Sequence, residues 1–529
     1  MAKIDKLIVT NVKALRSKYG SSGVAAIGAA VDAMIVADER RGLTTRMIDL
    51  ASASQMRTVR GRAVVDPDVR KANKDAIDAA YRALMPDYLV ILGSIDVVPH
   101  QSLVNPLYSD DPDGDNDRHV GSDLPYACEA PYSRNISDFR GPTRVVGRLP
   151  DVTGAEKPSF LLRLIRTAAS YKMRLRTHHS DYFGLSAQVW RDSTRLSLRT
   201  LFGSDKTMRQ SPPDGPAWGA TELHRSLHFI NCHGAPSSPE FYGQRTESSK
   251  DRPVAHDTEH VQGRIRNGTV IAAECCYGAE LYDPRDATGR RGICYAYLDS
   301  GAYGFFGSSD IAYGPSSGNG WADLICRYFL EGVLRGASLG RAVLEARHTY
   351  LLGMSLLQPE DLKTLAQFNL LGDPSIHPIG RVPQALELTR IFHRALAESG
   401  LLPPGRRLPP GRGLRRDRLL RTGLLLDDTV GSVRPARGLR PRAGVDRALR
   451  DSARNAGVRG ASLRLSSFAV HDPAKRDLYR RVRLQRETPG TVHTISGTLP
   501  PKHGVKRIVV VSATVERGRI VRLRRMHSR

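Results

Sequence analysis

Leu227-His228-Phe229-Ile230-Asn231-Cys232-His233-Gly234 and Thr269-Val270-Ile271-Ala272-Ala273-Glu274-Cys275-Cys276-Tyr277-Gly278 decide how this chain reads. Each is a short apolar run that stops at a polar turn. Runs of this length and composition suit strands buried on both faces of a parallel sheet. The first ends in a histidine followed by glycine, the second in a cysteine. Ligands of open α/β sheets sit outside the carboxyl ends of the strands. A His and a Cys carried on neighbouring strand ends can therefore face one site.

Working outward, the flanking sequence alternates helix and strand signals. Val24–Glu39 and Asp68–Leu84 read as helices, and Thr45–Leu50 as a strand. Tyr88-Leu89-Val90-Ile91-Leu92-Gly93 is another unbroken apolar run, followed by Ser94-Ile95-Asp96-Val97-Val98-Pro99. Thr143–Leu149 predicts a strand and Glu156–Lys172 a helix. Leu185–Trp190 predicts a strand with a helix after it, running to Phe202. Gly301–Gly307 reads as a Gly-rich strand. Trp321–Leu334, Ser338–Leu352 and Glu360–Phe368 carry helical periodicity. The alternation points to an α/β fold with a doubly wound sheet flanked by helices.

Composition separates the body from the tail. The chain has 529 residues, room for two to four domains, and a net charge of +25. Residues 381–529 hold 34 Lys and Arg against 11 Asp and Glu, whereas residues 1–380 hold 45 against 43. The body is near neutral and the tail strongly basic. From His393 to Ser467 there is neither an aromatic residue nor a lysine, a composition unsuited to a packed core. Ordinary composition returns from Phe468, where Arg507–Val515 reads as a strand and Gly518–Arg525 as its hairpin partner. The organisation expected is an N-terminal α/β subdomain (1–180), a catalytic domain (181–380), an Arg/Pro/Gly-rich disordered linker (381–466) and a small β-rich tail (467–529).

No run of 18 or more apolar residues interrupts the chain, and the N-terminus lacks a charged-then-apolar leader pattern, so the expectation is a cytoplasmic protein with no membrane partner. The six cysteines fit neither a zinc spacing nor a small disulfide framework, and adjacent Cys275 and Cys276 suit a reducing compartment. Clustered arginines in the tail are what phosphate neutralisation requires, which makes nucleic acid a possible partner there, although no aromatics are interleaved for base stacking.

One polar loop has metal-site spacing. Asp111, Asp113, Asp115 and Asp117 alternate around Gly114. Hard oxygen ligands at every second residue suit a structural calcium ion, though the bidentate Glu of a full calcium loop is missing.

The strand-end pair has the ingredients of thiol catalysis. A thiolate is the nucleophile, and a nearby imidazole takes its proton and later protonates the leaving amine. No cofactor is needed for that chemistry. Backbone N–H groups must also face the developing oxyanion. Gly234, with no side chain, is a candidate donor beside the N–H of the nucleophile itself. Strand alternation puts Cys275 and Cys276 on opposite faces, so one of them faces His233. Cys276 is preferred, because Cys275 then continues the buried strand; Cys275 is the alternative nucleophile. Asn231 lies two residues before His233, on the same strand face, and is a candidate for lining the site.

Over about residues 80–380 the sequence resembles the caspase-fold cysteine peptidases, and within them the gingipain-type family. The resemblance rests on Tyr88–Pro99, on Val145-Val146-Gly147-Arg148-Leu149-Pro150, on His233-Gly234, on Glu274-Cys275-Cys276-Tyr277-Gly278, and on the closing Leu371-Gly372-Asp373-Pro374-Ser375. It implies a caspase-like fold and a cysteine endopeptidase acting on protein or peptide substrates through an acyl-enzyme. It also implies strict preference for one residue before the scissile bond, and an acid near Asp192 to orient the histidine. An acidic pocket would select Arg or Lys, and the candidate pocket loops contain Glu240 and Asp310. The rival expectations are a catalytically silent caspase-like interaction module, or nucleic-acid binding through the basic tail.

Overall fold

The computed structural model describes residues 4–380 apart from 111–113, 316–317, 353 and 355, together with 431–436, 438–458, 463–471, 490–502, 505–516 and 519–528. The first half contributes β1 (Lys6–Thr10), β2 (Thr45–Asp49), β3 (Tyr88–Leu92), a hairpin of β4 (Gln101–Val104) and β5 (His119–Ser122), and β6 (Val146–Leu149). The second half contributes β7 (Tyr182–Ala187), β8 (Arg209–Ser211), β9 (Leu227–Asn231), the short β10 (His233–Gly234), β11 (Glu240–Tyr242) and β12 (Val254–Asp257), then β13 (Val270–Ala273), β14 (Gly304–Ser308), β15 (Tyr313–Pro315), β16 (Leu356–Leu357) and β17 (Phe368–Gly372). The C-terminal region adds β18 (Gly431–Pro435), β19 (Arg464–His471), β20 (Thr491–Lys502), β21 (Val505–Glu516) and β22 (Arg519–Ser528).

A ten-stranded sheet of order β2-β1-β3-β6-β17-β14-β13-β9-β7-β8 runs through the body. Its strands are parallel within two blocks, which meet at the antiparallel pair β14–β17. The expected doubly wound layer is present, but as a mixed sheet. It also crosses the expected boundary at residue 180 without a break, because β17, late in the chain, joins the two blocks. β9 and β13 are buried along their whole length. That is why they read as unbroken apolar runs. Helices Val12–Arg40, Ser159–Ser170 and Ile293–Asp299 pack in succession on one another, as do Arg191–Phe202, Trp321–Leu334 and Leu339–Leu352.

Several of the quoted motifs have structural causes. Arg148 on β6 is fully buried and clamps the turn after β3: its guanidinium donates to the Gly93 and Val98 carbonyls at 2.9 and 2.7 Å and pairs with Asp123. A Cβ on Gly147 would meet the Gly372 carbonyl at 2.6 Å, so the glycine is there to let two strands approach. In the closing motif, Asp373 accepts from the Ser375 N–H and hydroxyl and pairs with buried Lys6 of β1, which also holds Asp38 at 2.8 Å.

Helix Val12–Arg40, kinked at Gly20, buries Leu15, Ile27, Val31 and Met34. Among the described residues it is the one helix long and apolar enough, by length and composition alone, to cross a membrane. Polar residues punctuate it, so it holds no unbroken apolar run of that length.

Residues 381–430 of the expected linker lie outside the described residues. The remainder holds β18, the start of β19 and helix Ala443–Asn455. Val445, Leu449 and Ala453 stand four residues apart on that helix and pack on Val509, Val511 and Ala513. An arginine-rich composition conceals this stripe, which is enough to seat one helix on a sheet. The C-terminal sheet has the order β15-β22-β21-β20-β19-β18-β16, so body strands form both of its edges. Arg524 binds the buried Asp361 carboxylate at 3.1 Å, and Gln358 bonds Thr514 and Ser512.

Candidate active site

Parallel pairing of β9 and β13 ends its register at Ile230↔Ala273, and the Glu274 N–H to Ile230 carbonyl bond of 2.8 Å extends the ladder. His233 and Cys276 each lie three residues beyond that last pair. Equal overshoot brings the two turns together. A Cβ built on Gly234 would collide with the Cys276 carbonyl oxygen, so the two backbones touch here and only glycine fits. Tyr277 then turns the chain away with φ of +54°, its N–H donating to the Asp310 carbonyl at 3.0 Å.

The adjacent cysteines part company. Cys275 is fully buried with its sulfur toward the Ile230 carbonyl, and burial holds its thiol well above the ordinary range. Burial likewise raises Cys232 and Cys326, and pushes Cys294 up to about 12. Cys276 lines a cavity of about 220 Å³ with Gly234, Asp117, Tyr277, Ile311 and Ser528. The Ala312 N–H donates to its sulfur at 3.3 Å. The thiol in turn reaches the Ala312 carbonyl at 3.5 Å.

His233 is buried against the Trp190 ring, with centroids 4.3 Å apart. Its Nε2 lies 2.8 Å from Gln244 Oε1. Gln244 Nε2 donates to the Thr246 and Ser249 carbonyls at 2.6 and 3.2 Å, which fixes its oxygen as the acceptor. The imidazole proton therefore sits on Nε2, and Nδ1 is left as the basic nitrogen. A neutral amide orients the histidine. Sequence reading missed Gln244, because an amide after a short strand carries no motif.

The acid expected at Asp192 stands elsewhere. It lies in the first turn of helix Arg191–Phe202 with 78% of its side chain exposed, beside Arg191 and Arg195. The helix turns it outward, and Trp190, just before it, is what reaches His233. Asn231 is buried but donates to Thr194 Oγ1 at 3.1 Å, away from the cavity. Glu240 pairs with Arg290 at 2.9 Å. Asp310 is buried behind the cavity, accepting from the Gly121 N–H; burial and neighbouring Asp117 push its carboxyl up to about 7. The charged side chain lining the cavity is Asp117, which accepts from the Tyr277 hydroxyl at 2.9 Å and from the Ile311 N–H at 3.3 Å.

Of the carboxylates read as calcium ligands, Asp111 and Asp113 lie outside the described residues. Asp115 is buried, with Lys363 and Tyr313 on one oxygen and Asn105 on the other. Among the described residues no group of three or more His, Cys, Asp or Glu is arranged to hold a metal ion. The cation beside Asp115 here is the Lys363 ammonium.

Two comparisons bear on these residues. No curated protein matches the chain. Residues 242–379 match the model of peptidase family C25, a span that begins after His233 and Gly234 and takes in Gln244, both adjacent cysteines and the closing Leu371–Ser375 motif. This stretch is similar to the gingipain family of the caspase-like clan, a family of cysteine-type peptidases, and the match marks the chain as a cysteine-type peptidase, a hydrolase.

Proposed function

We propose that the protein is a cysteine endopeptidase with Cys276 as nucleophile, His233 as general base and acid, and preference for Arg or Lys before the scissile bond. One observation carries the assignment: Cys276 lines the cavity beside Gly234, whereas the Cys275 thiol is buried in the core just past β13. His233 Nδ1 takes the thiol proton as sulfur attacks the peptide carbonyl carbon. The Gly234 and Cys276 N–H groups face the resulting oxyanion. The imidazolium then gives its proton to the amine as the C–N bond breaks, leaving an acyl-enzyme. Water, deprotonated by the same imidazole, attacks the acyl carbon and releases the thiolate. Gln244 keeps the proton on Nε2 throughout, as a positioning residue. Asp117 is the acid that a cationic side chain would meet.

The test is turnover of quenched peptides carrying Arg, Lys, Asp or Asn before the bond. Cys276→Ala and His233→Ala should abolish cleavage, and Cys275→Ala should retain it within about tenfold. Asp117→Asn should lower kcat/KM on Arg and Lys peptides by about 10²-fold or more, in keeping with loss of a buried charge pair. Activity surviving in Cys276→Ala refutes the nucleophile; Asp117→Asn without effect refutes the specificity.

A further inference from the structure

β15 begins one residue after Ala312, whose N–H reaches the Cys276 sulfur. β15 is the end strand of the C-terminal sheet, and the one of its edges that meets the Cys276 cavity is taken. β22 lies along it antiparallel, with Pro315↔Met526, Gly314↔His527 and Tyr313↔Ser528 in register. The direction matters: β22 advances toward the nucleophile as it runs toward its carboxyl end, and Ser528 lines the cavity with Cys276. A peptide about to be cleaved must approach in that same sense, with the residues before the bond laid out behind the carbonyl that sulfur attacks.

We propose that β22 is a built-in occupant of the substrate edge, holding the peptidase in a product-like, self-inhibited state until the strand is displaced. The proposal rests on the peptidase reading above. Strand addition to an exposed edge is a general mode of peptide recognition. An intramolecular strand competes at an effective concentration on the order of millimolar, above most free peptides. The occupant is also well seated. Met526, His527 and Ser528 are buried, the Ser528 hydroxyl accepts from the Ile508 N–H at 2.8 Å, and Arg524 is anchored on Asp361.

Two variants test it: a stop after Arg525, and His527→Pro in the full chain, which keeps Met526 but removes a backbone donor where β22 is in register with Gly314 and Val509. Folding is checked by circular dichroism and thermal unfolding. Either folded variant should gain tenfold or more in kcat/KM on peptide reporters, mainly through KM. Added Leu-Arg-Arg-Met-His-Ser peptide should inhibit the variants competitively. Equal turnover by full-length protein and folded variants overturns the proposal, as does failure of the added peptide to inhibit. If no form cleaves any reporter although iodoacetamide still alkylates Cys276, the peptidase reading fails. Occupancy is then read from binding of the fluorescent peptide: binding to the variants but not the full chain supports it, and binding to neither, or equally to both, overturns it.

Discussion

Gly234 is where two strand ends become one site. Its missing side chain lets the His233 turn rest on the Cys276 carbonyl. Gly234→Ala forces that contact apart and moves both the histidine and a proposed oxyanion donor. We expect a fall in kcat/KM of about 10²-fold or more, with a stability loss of only about 1–3 kcal/mol, typical of overpacking. Reporter kinetics together with urea unfolding check it; near-normal kinetics in a folded Gly234→Ala protein would remove the close approach from the mechanism. At this scale the sequence is informative where a reactive residue ends an apolar run, as at His233 and Cys276. It is uninformative where a partner arrives from a separate loop. Gln244 reaches His233 because three carbonyls of the turn after it hold its amide. Asp192 and Trp190 are near neighbours in sequence, but the helix start between them sends one to solvent and the other to the imidazole.

The closing motif illustrates the scale of elements. Lys6 on β1 is fully buried between Asp38, near the end of the first long helix, and Asp373, after β17. Burial alone would lower its pKa, but the two carboxylates outweigh it and hold it raised, so the lysine is charged. Lys6→Met leaves two buried carboxylates without their shared ammonium. Breaking a buried pair from one side costs about 3–5 kcal/mol. Urea unfolding should register that loss, and a cost under about 1 kcal/mol would show that the triad is not a joint between these elements. The strands themselves are legible from apolar runs and the helices from periodicity, to within a few residues at their ends. β1 escapes notice because its run is short and starts with a buried lysine whose partners lie far along the chain.

Across the whole molecule, the face of the sheet beneath the site stores a pH dependence. His228 and His256 both bond the Tyr297 hydroxyl, at 2.9 and 2.8 Å, and burial pushes each down to about 3. In the unfolded chain they titrate at their ordinary value of about 6.5. The unfolded state therefore binds protons first as pH falls. Their contribution to stability is complete above pH 6.5 and drains away between there and pH 3, at roughly 1 kcal/mol per pH unit for each histidine. His256→Gln, which can keep a bond to Tyr297, should make this acid slope shallower by about that amount. Urea midpoints at pH 6.5, 5.5 and 4.5 decide it, and parallel slopes in the two proteins would exclude the pair as a source.

The sequence by itself determined the α/β class, the two strand ends that carry His233 and Cys276, and the near-neutral body with its basic tail. Those follow from local apolar pattern and composition. Only the tertiary structure decided that the sheet is mixed, that β17 closes it by returning from far along the chain, that a glutamine orients the histidine, and that β22 lies on the edge beside Cys276. These join residues from 11 to 215 positions apart. Hydrogen bonds and register between such segments leave no periodic trace in either one alone.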